Sequence, residues 1–182
     1  MNLARTEALR RGMTLSKFTS DVTGRMGIVP TVIPATDDHL RTLIENEEGE
    51  TISFQEYFVF RQHADTVRAV SFDGEADPAP GVLESIRRAD VVMIAPSNPP
   101  LSIWPILTVR GVREALSQHP RVVAVSPLFR GRALKGPADR VMASLGLPPG
   151  NAVVLAAYDG LLDELIVDTG DADEDYDVVP GS

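Results

Sequence analysis

The residues best suited to chemistry sit in two short loops, each leaving an apolar run. Ser97 and Asn98 lie between Pro96 and Pro99, shortly after the run Val91 to Ile94. That run reads as a buried strand. The flanking prolines stiffen the loop and withdraw their own N–H groups from any ladder. Ser102 is then predicted to cap a helix whose early residues include Pro105. A strand, a rigid polar loop and a helix start make a seat for a phosphate, because the first helical N–H groups are unpaired and the dipole is positive there. The plainer alternative is an ordinary strand–loop–helix connection that proline keeps stiff.

The second loop has a similar build. Val122 to Val125 is another apolar run, and it leads into Ser126-Pro127 and on to Asp139. Gly131 and Gly136 permit unusual backbone angles, and Pro137 suits a first helical turn. Arg130, Arg132 and Lys135 crowd this loop in a chain whose net charge is -9. Three cations beside a helix start suit a diphosphate. Surface cations on a solvated loop are the competing explanation.

The two loops belong to a wider set of segments. In order they are Arg5-Thr6, Gly12 with Leu15-Ser16, Pro34 to Asp38, and Phe54 to Val59. Pro96 to Pro99 follows, with Ser102-Ile103, Pro105 to Leu107, Gly111 and Arg113. The last are Ala124 to Pro127, Lys135 to Ala138, and Leu162-Asp163 with Asp168. Together they resemble the 2-phospho-L-lactate transferase family (CofD/FbiA), which builds the deazaflavin coenzyme F-420. The resemblance implies transfer of a phospholactyl or phosphoenolpyruvyl group from a guanosine diphosphate diester to the ribityl hydroxyl of the deazaflavin Fo. GMP leaves, and magnesium (Mg2+) bridges the diphosphate. It places Ser97, Asn98 and Ser102 against the diphosphate, with Ser126, Lys135 and Gly136 on the opposite wall. Arg5 falls near the deazaflavin, and Asp37 and Asp38 are candidate metal or polar ligands. It also implies a homodimer, and the absence of cysteine fits a cytoplasmic setting.

The same resemblance exposes a difference. Family members open with a Gly-Gly-Thr-Gly-Gly-type loop and a Gly-Asp-x-Asp stretch, and this chain has no Gly-Gly pair. We therefore expect an internal portion of a longer protein, with the general base and the metal carboxylates in the part not seen here. No catalytic residue is assigned. The alternatives are a noncatalytic nucleotide-binding regulator of the same fold and an inactive fragment.

Several classes are excluded by composition. There are no cysteines, so disulfides and thiol nucleophiles are absent. No apolar run approaches the roughly 18 residues of a membrane helix. Asp and Glu number 26 against 17 Lys and Arg, which argues against a nucleic-acid backbone as partner. His39, His63 and His119 share no metal spacing. Asp171, Asp173 and Asp175 mimic a calcium loop, but its glycine and closing glutamate are misplaced.

These loops must be positioned by a framework. Strand 91–94, helix 103–117, strand 122–125 and helix 137–145 alternate. That pattern implies an α/β fold, a Rossmann-like mostly parallel sheet with flanking helices. Helices are also expected over 2–11 and 15–26, with Thr14 as cap, and from Pro80 or Gly81. Strands are expected over 29–33, 52–60, 67–72, 153–157 and 165–167; residues 42–44 suit either a strand or a helix. Residues 1–170 read as a single domain and 171–182 as an acidic, disordered tail. Glu56, beside Gln55, is a candidate acid–base group. Phe54, Tyr57 and Phe58 suit a core or a stacked ring, and Trp104 suits a core, a dimer contact or a nucleobase.

Overall fold

The computed structural model describes residues 2–133, 136–147 and 150–171. The chain opens with α1 (Asn2–Arg10) and α2 (Leu15–Arg25). Thr14 caps α2 as expected, its Oγ1 accepting the Lys17 N–H at 3.2 Å. No side chain of α2 is buried. Its N-terminus is instead tied down by Asp37, which accepts the Ser16 N–H at 2.6 Å and the Ser16 hydroxyl at 2.9 Å.

Residues 29–33, predicted as a strand, form none. Pro30 and Pro34 bracket the segment and remove two donors, so its β-branched residues have no ladder to join. The first strands are β1 (Arg41–Asn46), β2 (Thr51–Ser53) and β3 (Val67–Asp73), in an antiparallel sheet of order β2-β1-β3. Ile44 pairs with Ile52 on one side and Val70 on the other, and Ile44 is fully buried. Gly74 ends β3 with φ +109°; a Cβ there would lie 2.4 Å from the His39 carbonyl oxygen. Only glycine satisfies both constraints.

The strand expected over 52–60 stops at Ser53. A π-helical turn, Glu56–Phe60, replaces its second half. Phe54 and Phe58 are four residues apart, which puts both rings on one helical face and stacks them at 5.5 Å. Tyr57 turns the other way and is buried.

The second half of the chain alternates. It runs α3 (Val82–Arg88), β4 (Val92–Ile94), a second π-helical turn (Pro99–Ile103), α4 (Trp104–Leu107) and α5 (Val112–Ser117). After these come β5 (Val122–Val125), the ribbon β6 (Leu128–Phe129) and β7 (Arg132–Ala133), then α6 (Ala138–Ser144), α7 (Ala152–Tyr158) and β8 (Glu164–Ile166). The helix expected over 103–117 is broken by Gly111, whose φ is +78°. The segment 153–157, predicted as a strand, is instead α7. Val153, Val154, Ala157 and Tyr158 are its buried face, a helical spacing that the two valines disguise.

Strands β4, β5 and β8 form a parallel sheet with β5 in the centre. Val122, Val123 and Ala124 of β5 are all buried, as a central parallel strand requires. The core beneath joins Ala124 to Met142, Val154 and Tyr158, all nearly or wholly out of water. The fold is thus mixed α/β with a parallel sheet, and the antiparallel sheet beside it lay outside the alternation argument. The acidic tail, residues 172–182, lies outside the described residues.

Candidate functional site

Three parallel strands deliver their carboxyl ends to one place. The exits of β4, β5 and β8 border a cleft of about 660 Å³. That volume falls in the range, roughly 300–1,000 Å³, of small-molecule sites, which favour this end of a parallel sheet. Both π-helical turns border it as well, the first through Phe58 and the second through Leu101 and Ser102. Such turns recur at functional sites.

The two loops picked out in the sequence meet here, but they differ chemically. At the β4 exit, Asn98 rather than Ser102 is the cap: Asn98 Oδ1 accepts the Leu101 N–H at 3.3 Å. This fixes the amide so that its Nδ2 donor is buried with no partner among the described residues. Ser102 sits inside the turn, its N–H donating to the Asn98 carbonyl at 2.9 Å. The hydroxyls of Ser97 and Ser102 make no hydrogen bond to the described residues, and both side chains border the cleft. Three donors are therefore unspent on one wall.

Ser126, at the β5 exit, is already engaged. Its hydroxyl donates to Asn151 Oδ1 and accepts the Leu128 N–H at 3.1 Å. Its work is to shape the loop. Gly136 borders the cleft with φ +80° and open space where a Cβ would stand. Lys135 lies outside the described residues. Arg130 places its guanidinium 5.7 Å from the ring centroid of Phe129, a cleft residue. Arg132 faces a separate hollow with Asp139 and Arg140.

The other sequence-derived candidates lie away from the cleft. Asp37 holds α2, and Asp38 Oδ2 accepts the Asp77 N–H at 2.8 Å. Arg5 is exposed on α1. Trp104 donates from Nε1 to the Ala157 carbonyl at 2.7 Å, a core role. Glu56 pairs with Arg61 at 2.9 Å. Arg61 also pairs with Glu50 and Asp65, at 2.8 and 3.1 Å. Its hydrogen bonds hold the Glu50 carboxyl below its ordinary range. This hub ties the first π-helical turn to the β1–β2 hairpin.

The third strand exit carries Asp168, which the sequence places among the family-like segments without giving it a role. Asp168 follows β8 and is the one ionisable side chain among the described residues bordering the cleft. Its Oδ2 accepts the Gly170 N–H at 2.9 Å, and its Oδ1 has no partner among the described residues. Asp171, a step further on, accepts the Arg130 N–H at 2.9 Å and so ties this exit to the β6–β7 loop. The signal was the pattern itself: an apolar run, Leu165 to Val167, ending in an acid.

Fold and cleft together define a mixed α/β protein with a cleft at the carboxyl ends of its parallel strands. The chain belongs to the family described as 2-phospho-L-lactate transferase CofD, whose profile matches residues 2–178. It is 38% identical over 184 residues to the 2-phospho-L-lactate transferase of Methanospirillum hungatei, covering all of this chain and 60% of that protein. It is 40% identical over 179 residues to the phosphoenolpyruvate transferase of Streptomyces coelicolor, covering 94% of this chain and 56% of that protein. The chain thus spans somewhat over half the length of these curated relatives. Among solved structures, protein BH3568 of Bacillus halodurans matches with a TM-score of 0.64 at 21% identity, over 88% of this chain and 49% of that one. Among the described residues, no helix is long and apolar enough to cross a membrane.

Proposed function

We propose that this chain is the part of a coenzyme F-420 transferase that grips the nucleotide half of its donor, a guanosine diphosphate diester. The observation that carries the reading is the convergence of three unspent donors, on Ser97, Asn98 and Ser102, at a cleft bordered by three parallel strand ends. Family membership supports it, as does the three-stranded parallel sheet whose ends border the cleft. A diphosphate oxygen would give the buried Asn98 amide the acceptor it lacks, in a site that disfavours an orphaned donor by about 1–3 kcal/mol. Gly136 leaves the opposite wall open, and Arg130 stands 5.7 Å from the ring of Phe129 at its edge. The stacked Phe54 and Phe58 offer a flat face to the deazaflavin Fo.

In the reaction, the ribityl hydroxyl of Fo attacks the phosphorus that bears the three-carbon acid. A new P–O bond forms, the bridging P–O bond breaks, and GMP leaves with those electrons while the hydroxyl gives up its proton. Positioning and charge neutralisation dominate such transfers. Among the described residues no three acidic or imidazole side chains converge on a metal position. The hydroxyl oxygens of Ser97 and Ser102 are the groups on this wall with lone pairs for magnesium, which binds largely through substrate phosphates. The hydroxyls of Ser97 and Ser102 would stand beside it, and the metal would neutralise the diphosphate. The reading includes a homodimer, checked by size-exclusion chromatography.

Thermal melting with GDP and magnesium tests binding, since a ligand of the folded state raises stability by about 2.7 kcal/mol at 100 times its Kd. Incubating the chain with Fo and a guanosine diphosphate diester, and following GMP, tests transfer. Binding without GMP release supports the noncatalytic reading instead.

A further inference from the structure

Beside the cleft, two consecutive residues hold a backbone shape that side chains resist. Gln62 and His63 both have φ +49°, close behind the π-helical turn Glu56–Phe60. Only glycine enters this region freely. Such strain persists where the surroundings enforce it, and it gathers at ligand clamps and switch regions. Here the enforcement is visible. The His63 N–H donates to the Tyr57 carbonyl at 2.8 Å, and the Arg61 N–H to the Glu56 carbonyl at 3.0 Å. Tyr57 is buried, and the Arg61 guanidinium is fastened by Glu50, Glu56 and Asp65.

The strain places a ring. Arg140 of α6 brings its Nη2 to 2.9 Å from His63 Nδ1. A guanidinium only donates, so Nδ1 accepts and the imidazole carries its proton on Nε2. The ring held in this way lies against Phe58, with centroids 5.6 Å apart and planes tilted by 55°. Phe58 in turn stacks on Phe54 at 5.5 Å and 23°. Phe54 and Phe58 border the cleft, and His63 and Arg140 stand behind them. Phe58 is 42% exposed, too open for core packing alone to fix its ring. A helix continued through residue 63 would turn that side chain to another face, because neighbours on a helix are three or four residues apart. The left-handed backbone is therefore what brings the imidazole to Phe58.

We propose that His63, oriented by Arg140, is a positioning residue for the cleft: it props the Phe58 ring so that the Phe54–Phe58 pair presents one fixed flat face. The inference rests on the reading of that pair as a seat for the deazaflavin Fo and adds the group that sets it. His63 acts through Phe58 and touches no ligand itself.

Calorimetric titration with Fo, thermal melting, and NMR of the ligand-free chain test this together. His63→Gly relieves the strain and removes the prop. Its melting temperature should hold or rise, while Fo affinity should fall about 2- to 12-fold, the worth of one aromatic pair. A residue that only stabilised the fold would lower both. His63→Phe keeps a ring against Phe58 and should retain most of the affinity. Arg140→Ala should weaken Fo binding by a smaller factor, and should add no further loss in the His63→Gly background, because Arg140 works through His63. In the ligand-free chain, His63→Gly should shift the Phe54 ring resonances. Phe54 stacks on Phe58 and has no ring contact with His63 among the described residues, so it reports the stack. Unmoved Phe54 resonances would overturn the inference. So would unchanged Fo affinity in His63→Gly, affinity and melting temperature falling in step, or additive losses from His63→Gly and Arg140→Ala. If the native chain binds no Fo, the Fo reading falls by itself, and the Phe54 resonances decide whether His63 sets the stack.

Discussion

Ser126 donates its hydroxyl proton to the carboxamide oxygen of Asn151, which is wholly buried, and accepts the Leu128 N–H at 3.1 Å. The serine that the sequence offers as a phosphate ligand is thus a brace between the β5 exit and the start of α7. Ser126→Ala should lower stability by about 1–3 kcal/mol, because buried polar groups lose a partner. Denaturant titration reads this directly. Nucleotide affinity of the folded variant should change little.

Ser97 and Ser102 should behave in the opposite way. Neither hydroxyl is used by the described residues, so Ser97→Ala and Ser102→Ala should leave the melting temperature nearly unchanged. Each should weaken GDP binding by about 1 kcal/mol, or roughly fivefold. A loss of stability without a loss of affinity in either variant would reverse the roles assigned to the two loops.

Asn98 joins both kinds of work, and two substitutions separate them. Asn98→Asp keeps an acceptor for the Leu101 N–H, so the turn should hold. It also sets a carboxylate beside the diphosphate, so GDP binding should fall sharply. Asn98→Ala removes the cap, at a cost of about 0.5–2 kcal/mol, but also removes the orphaned amide donor. Its net change in stability should therefore be smaller than that of an ordinary cap deletion.

The phenol of Tyr158 is buried without a hydrogen-bond partner among the described residues. Burial pushes its pKa from the ordinary 10.0 up to about 12. Between those values the unfolded chain loses the proton and the folded chain keeps it, so stability falls as pH rises. The loss should reach about 2–3 kcal/mol by pH 12 and be absent below pH 10. Tyr158→Phe should reduce this alkaline decline. At neutral pH the variant should be at least as stable as the native chain, since it buries no orphaned hydroxyl. Denaturation midpoints from pH 8 to 12 provide the check.

Much of the framework was legible because its residues obey simple periods. The β-branched runs 91–94 and 122–125 were legible as strands, but only the second is buried: Val91 and Met93 of the first are 41% and 62% exposed, because β4 is an edge of its sheet. Thr14 announced α2. What misled was β-branching without context: Val153-Val154 favours a strand, yet Asn151 before and Gly160 after bracket a helix. The Phe54 to Phe60 segment read as a strand because every position is compatible with alternation, while the i, i+4 pairing of Phe54 with Phe58 was the quieter and correct signal. At the site, residue types disclosed the two polar loops but not which atoms were spent. Ser126 and Ser97 look alike in sequence, and only packing against Asn151 tells them apart. Asp37 and Asp38 were visible as a pair, but their N–H partners at Ser16 and Asp77 are 21 and 39 residues away.

A crystal structure of the chain with GDP and magnesium tests the central claim most directly. The account predicts the diphosphate within hydrogen-bonding distance of the Ser97 and Ser102 hydroxyls, with the nucleotide lying across the ends of β4, β5 and β8. GDP bound in the hollow beside α2, or at any place that leaves those three strand ends uncovered, would contradict it.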